Sequence, residues 1–230
     1  MNSSSLEKRL STVLYADKLL EQLDFAKGDG LLPAIVQDVI TGEVLMQAYV
    51  NREALALTID SAKVTFYSRS RQQLWCKGET SGNFLQAISI SADCDNDSLL
   101  IMAKPMGPTC HTGATTCWHS HWNKPFINQL SELIQGRHQQ FNDEKQQGLN
   151  EPNKIAAASY TASLFASGTK RMAQKVGEEG LETALAAATH DKEELINEAA
   201  DLMFHLMVLL EDQNLSIYDV QQRLYDRHQR

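Results

Sequence analysis

The chain has 230 residues, enough for one large domain or two of about 100 residues, each able to bury its own core. Its 43% hydrophobic and 22% charged content is that of an ordinary globular protein rather than a disordered one. Residues 1–122 carry 10 basic and 13 acidic side chains and residues 123–230 carry 11 and 16, so neither half offers the basic surface that sequence-independent nucleic-acid binding requires.

In chain order, "MNSSSLEKRLSTVLYADKLL" reads as a short polar lead followed by an amphipathic helix, without the continuous apolar core of a secretory signal. No later apolar run reaches the roughly 18 to 20 residues that span a bilayer. A cytoplasmic protein is therefore expected, and in that reducing compartment the four cysteines are ligands or buried thiols rather than disulfides. Six runs then alternate with turn signals: "LLPAIVQDV", "EVLMQAYV", "KVTFYS", "LWCKGE", "FLQAISISADC" and "SLLIMAKPM". They have strand length and are rich in β-branched or aromatic residues, whereas "NREALALTIDSA" between two of them has helical spacing. This half is expected to be α+β and mostly sheet.

After Trp118 the pattern changes. "HSHWNKPF" is polar, aromatic and closed by a proline, and serves as a linker over about residues 118 to 126. From Ile127 the apolar period becomes 3.6, predicting helices in "FINQLSELIQGRHQQF", "SYTASLFASGTKRMAQKVGEEGLETALAAATH" and "KEELINEAADLMFHLMVLLEDQ". "QQGLNEPNK" is the least structured stretch, and the final "SIYDVQQRLYDRHQR" opens on Ser216 as a helix N-cap. Two domains follow, an α+β domain over residues 1–122 and an all-α bundle over residues 123–230.

Chemistry concentrates first in "DCDNDSLLIMAKPMGPTCHTGATTC". If "ADCDNDS" is extended, Asp93, Asp95 and Asp97 share one face and Cys94 points to the other. Carboxylates so crowded need a cation, and hard oxygen donors suit Mg²⁺ or Ca²⁺. An EF-hand beginning at Asp93 is excluded, because Ser98 stands where glycine is required and Lys104 where the bidentate glutamate belongs. An acidic surface turn is the plainer alternative. Cys94, Cys110 and Cys117 supply three soft donors, with His111 beside one of them, which fits a catalytic zinc with an open position. Their spacing is neither that of a zinc finger nor that of the nucleobase deaminases, so buried unreactive thiols remain the alternative. Cys76 is read as such a thiol.

"FYSRSRQQLWCKGETSGN", "DCDND" and "GPTCHTGATTC" together resemble the signature stretches of phosphoribosyl-AMP cyclohydrolase, over about residues 25 to 120. The resemblance implies zinc on Cys94, Cys110 and Cys117, magnesium on Asp93, Asp95 and Asp97, and a homodimer whose zinc site draws cysteines from both subunits. It also implies hydrolytic opening of an adenine ring between N1 and C6. A water activated by zinc is suited to attack C6, and His111 can move a proton near neutral pH. Arg69, Arg71 and Lys77, with the segment Gly78, Glu79, Thr80, Ser81, Gly82 and Asn83, supply cations and exposed backbone N–H groups for phosphate.

The second concentration is "KVGEEGLETA". On a helix Glu178 and Glu182 share a face, with Glu179 beside them, and one helix later Glu198 and Asp201 are three apart. Solvated glutamates are the plain reading of either group alone. Both beside apolar surface suggest carboxylates converging in a bundle around Mg²⁺, whose usual partner is a polyphosphate. "SYTASLFASGTKRMAQKVGEEGLETALAA" and "NEAADLMFHLMVLL" resemble phosphoribosyl-ATP pyrophosphatase, an all-α family akin to the MazG-type pyrophosphohydrolases, over about residues 126 to 215. That resemblance implies magnesium on Glu178, Glu179, Glu182, Glu198 and Asp201, with Glu179 catalytic, and Lys170, Arg171 and Lys175 are candidates for phosphate contact. The segment at about 139 to 158 is longer than the family pattern.

Fused in this order, the halves resemble a bifunctional histidine-biosynthesis enzyme. Its substrates would be phosphoribosyl-ATP and then phosphoribosyl-AMP. The competing expectation is a housekeeping nucleoside-triphosphate pyrophosphatase carrying a structural zinc domain.

Overall fold

Alternating burial drives the N-terminal sheet. In β1 (Leu32–Asp38) the side chains of Leu32, Ala34, Val36 and Asp38 are buried while Ile35 is open. In β6 (Leu99–Pro105) Leu99, Ile101 and Ala103 are buried in the same way. The computed structural model describes residues 16–118, 124–146 and 159–228. It divides the chain into two compact units, Met1–Pro125 and Phe126–Gln229.

In the first unit β1, β6, β2 (Val44–Val50) and β5 (Leu85–Ala92) form a sheet in the order β2-β1-β6-β5. β1 runs antiparallel to β2 and parallel to β6, and β5 runs antiparallel to β6. β3 (Thr65–Ser68) and β4 (Gln73–Cys76) make a separate hairpin. The helix α2 (Arg52–Ser61) is capped by Asn51, whose side chain accepts the Ala54 N–H at 2.8 Å, and it buries Ala54, Leu55 and Thr58. Ala54 and Leu55 join Leu32, Val36, Phe66, Leu85 and Ile101 in one core. Ahead of the sheet lie α1 (Ala16–Gln22) and a 3₁₀ turn (Phe25–Gly28). All six expected strands and the expected helix are present.

The extended reading of "ADCDNDS" is overturned. β5 ends at Ala92, and residues 93–98 form a turn into β6 with Asn96 at φ 60°. Asp93 Oδ1 accepts the backbone N–H groups of Asp97 at 3.0 Å and Ser98 at 3.2 Å. Short polar side chains that bond nearby backbone compete with the sheet ladder, and here they win.

The second unit contains α3 (Phe126–Gln146), α4 (Tyr160–Ser167), α5 (Thr169–Thr189), α6 (Lys192–Asp212) and α7 (Ile217–His228). Ile134, Leu164, Phe165, Met172, Met207, Val208 and Ile217 form its core. The helix expected to run from Tyr160 to His190 is broken at Gly168, whose φ of 82° only glycine adopts without strain. Asp191 caps α6 by accepting the N–H groups of Glu193 and Glu194 at 3.1 Å, so α5 and α6 follow one another closely and pack together. No helix among the described residues is long and apolar enough to cross a membrane. The N-terminal lead up to residue 15, most of the linker (119–123) and most of "QQGLNEPNK" (147–154) lie outside the described residues.

Candidate active sites

The hairpin β3–β4 and the loop that follows it build one wall of a cleft in the first unit. Gly78 sits at φ 95°, and a Cβ there would come within 2.5 Å of the Asn83 carbonyl carbon and the Phe84 nitrogen. The loop therefore closes only on glycine. It is stapled by Gly82 N–H to Gly78 O at 2.8 Å, by Lys77 Nζ to Asn83 O at 3.2 Å, and by Cys76 N–H to Glu79 Oε2 at 3.0 Å. The opposite wall, residues 108–117, is tied to β2 by Cys117 N–H to Leu45 O at 2.8 Å and by the Thr116 hydroxyl to Val44 O at 2.7 Å.

Between the walls lies a space of about 680 Å³. Arg71, Lys77, Gly78, Glu79, Thr80, Ser81 and Asn83 line it on one side, and Thr109, Cys110, His111 and Cys117 on the other. Arg69 and Gly82 are not among its lining residues, and the Arg69 guanidinium lies 3.8 Å from the Tyr49 ring centroid. Cys76, read from the sequence as a bystander, also faces the cleft.

The thiols are unequal. Thr112 donates its hydroxyl to Cys110 Sγ at 3.2 Å, which with the Thr112 backbone pulls that thiol below its ordinary pKa. Burial, followed by the neighbouring Cys110, pushes Cys117 up. His111 Nδ1 lies 3.8 Å from Cys110 Sγ. Cys94 is exposed on the aspartate turn and does not line this cleft. The Thr109 hydroxyl is buried in the cleft wall without a hydrogen-bond partner among the described residues.

On that turn, carboxylate oxygens of Asp93, Asp95 and Asp97 lie within 4.8 Å of one another. A residue with no role in the sequence reading reaches them: Lys27 Nζ is 2.7 Å from Asp95 Oδ2 and 3.3 Å from Asp97 Oδ2. The pairing holds the Asp95 carboxyl below its ordinary range and raises the lysine.

In the second unit Glu179 and Glu182 of α5 and Glu198 of α6 bring carboxylate oxygens within 4.8 Å. Glu178 instead meets Gln174 at 2.7 Å, Lys175 at 3.0 Å and Arg171 at 3.4 Å, and Asp201 is exposed outside the trio. Lys170 is exposed in the first turn of α5. Lys175 Nζ also lies 2.7 Å from Glu179 Oε1 and keeps that carboxyl low, whereas burial and Glu182 push Glu198 up to about 7. The sequence reading passed over His205, which is buried with Nδ1 2.9 Å from the Asp201 carbonyl and 3.6 Å from Glu179 Oε1. A carbonyl only accepts, so Nδ1 donates to it, and Nε2 lies 2.8 Å from the Tyr160 hydroxyl. The signal was available: His205 is one helical turn beyond Asp201 and two beyond Glu198 on an otherwise apolar stretch.

The comparisons with known proteins fall on the same two halves. Residues 46–119 match the family model described as phosphoribosyl-AMP cyclohydrolase, and residues 138–228 match that described as phosphoribosyl-ATP pyrophosphohydrolase. The chain is 53% identical to the histidine biosynthesis bifunctional protein HisIE of Shewanella oneidensis over 221 residues, covering 96% of this chain and 98% of the relative. It is 54% identical to the protein of that name from Escherichia coli K12 over 209 residues, covering 90% and 96%. For Vibrio parahaemolyticus the figures are 50% over 214 residues, 91% and 95%.

Proposed function

Because the chain belongs to the family of histidine biosynthesis bifunctional proteins HisIE, we propose how its two sites divide the two reactions and which side chains carry them. It is a bifunctional hydrolase of histidine biosynthesis, a phosphoribosyl-AMP cyclohydrolase and a phosphoribosyl-ATP pyrophosphohydrolase. The helical unit cuts phosphoribosyl-ATP to phosphoribosyl-AMP and pyrophosphate. The sheet unit then opens the purine between N1 and C6, so the substrate meets the units in the reverse of chain order. A housekeeping pyrophosphatase with an inert zinc domain is not favoured by relatives that match both halves.

In the sheet unit Cys94, Cys110 and Cys117 suit zinc as soft donors, and Cys110 is already biased toward its thiolate. Bound zinc would supply Lewis acidity and a water acidic enough to ionise near neutral pH. His111, exposed beside Cys110, takes and returns the proton. Arg71, Lys77 and the backbone N–H groups of Thr80 and Ser81, all lining the cleft, hold phosphate. The oxygen donors of Asp93, Asp95 and Asp97 fit magnesium. Cys94 stays outside the cleft that holds the other two thiols, so a second copy of the chain completes the set in a homodimer. Exposed Leu181, Leu185, Ile196 and Met203 give the helical unit its own apolar surface for pairing.

In the helical unit Glu179, Glu182 and Glu198 hold magnesium, with Glu178 and Asp201 at the margin. Magnesium there would neutralise charge on the departing pyrophosphate. Lys170, Arg171 and Lys175 meet the triphosphate, and Glu179, buried and kept ionised by Lys175, is the carboxylate best placed to act on the attacking water.

The observation that carries the reading is the single cleft joining Cys110, Cys117 and His111 to the Arg71 and Lys77 side. It is tested by Cys110→Ser. Metal analysis of the wild type should give about one zinc per chain. The variant should convert phosphoribosyl-ATP to phosphoribosyl-AMP at the wild-type rate and then stop, with no imidazole carboxamide absorbance. Full ring opening by metal-free protein would sink the zinc assignment, and turnover of ordinary ATP would revive the housekeeping reading.

A further inference from the structure

We propose that Lys27 is a positioning residue of the aspartate turn. Its ammonium group stands between Asp95 and Asp97 where a divalent cation would sit, and divalent binding there is an exchange of one cation for the other. This rests on the magnesium reading of Asp93, Asp95 and Asp97. Lys27 itself lies outside residues 46–119, the stretch matched to the cyclohydrolase family.

Three aspartates with oxygens within 4.8 Å repel one another unless a cation intervenes. Lys27 Nζ supplies one, at 2.7 Å from Asp95 Oδ2 and 3.3 Å from Asp97 Oδ2. The lysine is delivered by a docked segment. Asp24 N–H donates to Asn96 O at 2.8 Å, in the middle of the aspartate turn. Asp24 Oδ1 accepts the N–H groups of Ala26 at 3.1 Å and Lys27 at 3.3 Å, and Leu23 is buried in the core. The backbone is thus fixed against the turn while the Lys27 side chain remains 46% exposed and free to swing into water.

A divalent ion bound by the Asp95 and Asp97 carboxylates would compete with the ammonium for them. The divalent ion has twice the charge and displaces the lysine when concentrated enough. The pairing it must break lowers its apparent affinity, and the same pairing keeps the turn assembled before it arrives.

The test is titration of zinc-loaded, magnesium-free full-length protein with Mn²⁺, free ion being read by electron paramagnetic resonance. In the wild type one class of sites should be present that Asp95→Asn removes. In Lys27→Met that class should bind about two- to fivefold more tightly, the scale of exposed ion pairs. Lys27→Arg, which keeps the charge, should show no tightening. Without divalent ions Lys27→Met should melt below wild type, and added Mg²⁺ should raise its Tm by more than it raises the wild-type value. Equal or weaker Mn²⁺ binding by Lys27→Met, with the class still lost in Asp95→Asn, overturns the exchange and leaves the metal site standing. If Asp95→Asn loses no class, the magnesium reading falls and the exchange falls with it.

Discussion

Ser216 and Asp219 close the first turn of α7 from the acceptor side: the Ser216 N–H and hydroxyl both donate to Asp219 Oδ2 at 2.7 Å. These bonds favour the carboxylate and hold Asp219 below its ordinary range. A depressed carboxyl adds stability above the unfolded value of about 3.9, and that stability is lost as pH falls through the lower folded value. Asp219→Ala should therefore cost about 0.5–1 kcal/mol at pH 7 in denaturant melts, with the gap to wild type narrowing below about pH 4. An equal cost at pH 3 would mean that the carboxylate is not what matters. Ser216 was legible at the start of α7 because a serine before a helical run is a local signal, although its hydroxyl here donates to Asp219. Lys27 was not, because its role comes from a partner distant in sequence, Asp95 lying 68 positions away. The spacing of His205 from Asp201 was legible, but its bond to Tyr160, 45 positions away, was not.

Among the elements, the strands could be read from period and residue type, while the loops that carry the chemistry could not. The 78–83 loop is set by a close approach that no periodicity reports: Gly78 passes within Cβ-forbidding distance of the Asn83 backbone. Gly78→Ala would meet both that contact and a positive φ, so the loop must open. Steady-state kinetics should then show KM for phosphoribosyl-AMP at least about tenfold higher, since misplaced phosphate contacts forfeit binding. Pyrophosphohydrolysis should be unchanged. Normal KM would show that the loop does not hold substrate. The aspartate turn teaches the complementary point. Alternation put the three carboxylates on one face for the wrong reason; they meet because a turn with Asn96 at φ 60° folds them together.

At the scale of the whole molecule, the turn leaves Cys94 exposed and outside the cleft of Cys110 and Cys117, which is the argument for a shared site. Neither Cys94→Ser nor Cys117→Ser homodimers can then build a complete thiol set. A mixed dimer places one intact set beside one doubly broken set, so exchange of the two inactive proteins should restore ring opening to at most about a quarter of wild type. Continued inactivity, with mixed dimers seen by native mass spectrometry, would mean that all three cysteines act within one chain. The sequence by itself determined the α+β and all-α halves and the residue types able to hold metals. Those depend on local period, propensity and donor chemistry, which short stretches carry complete. The tertiary structure decided which carboxylates converge, leaving Glu178 with its cations and drawing Glu198 to Glu179 and Glu182. It also decided that Lys27 and His205 stand beside the acidic groups, and that Cys94 turns outward. Such contacts depend on where turns and packed helices bring distant side chains, and no local pattern encodes that distance.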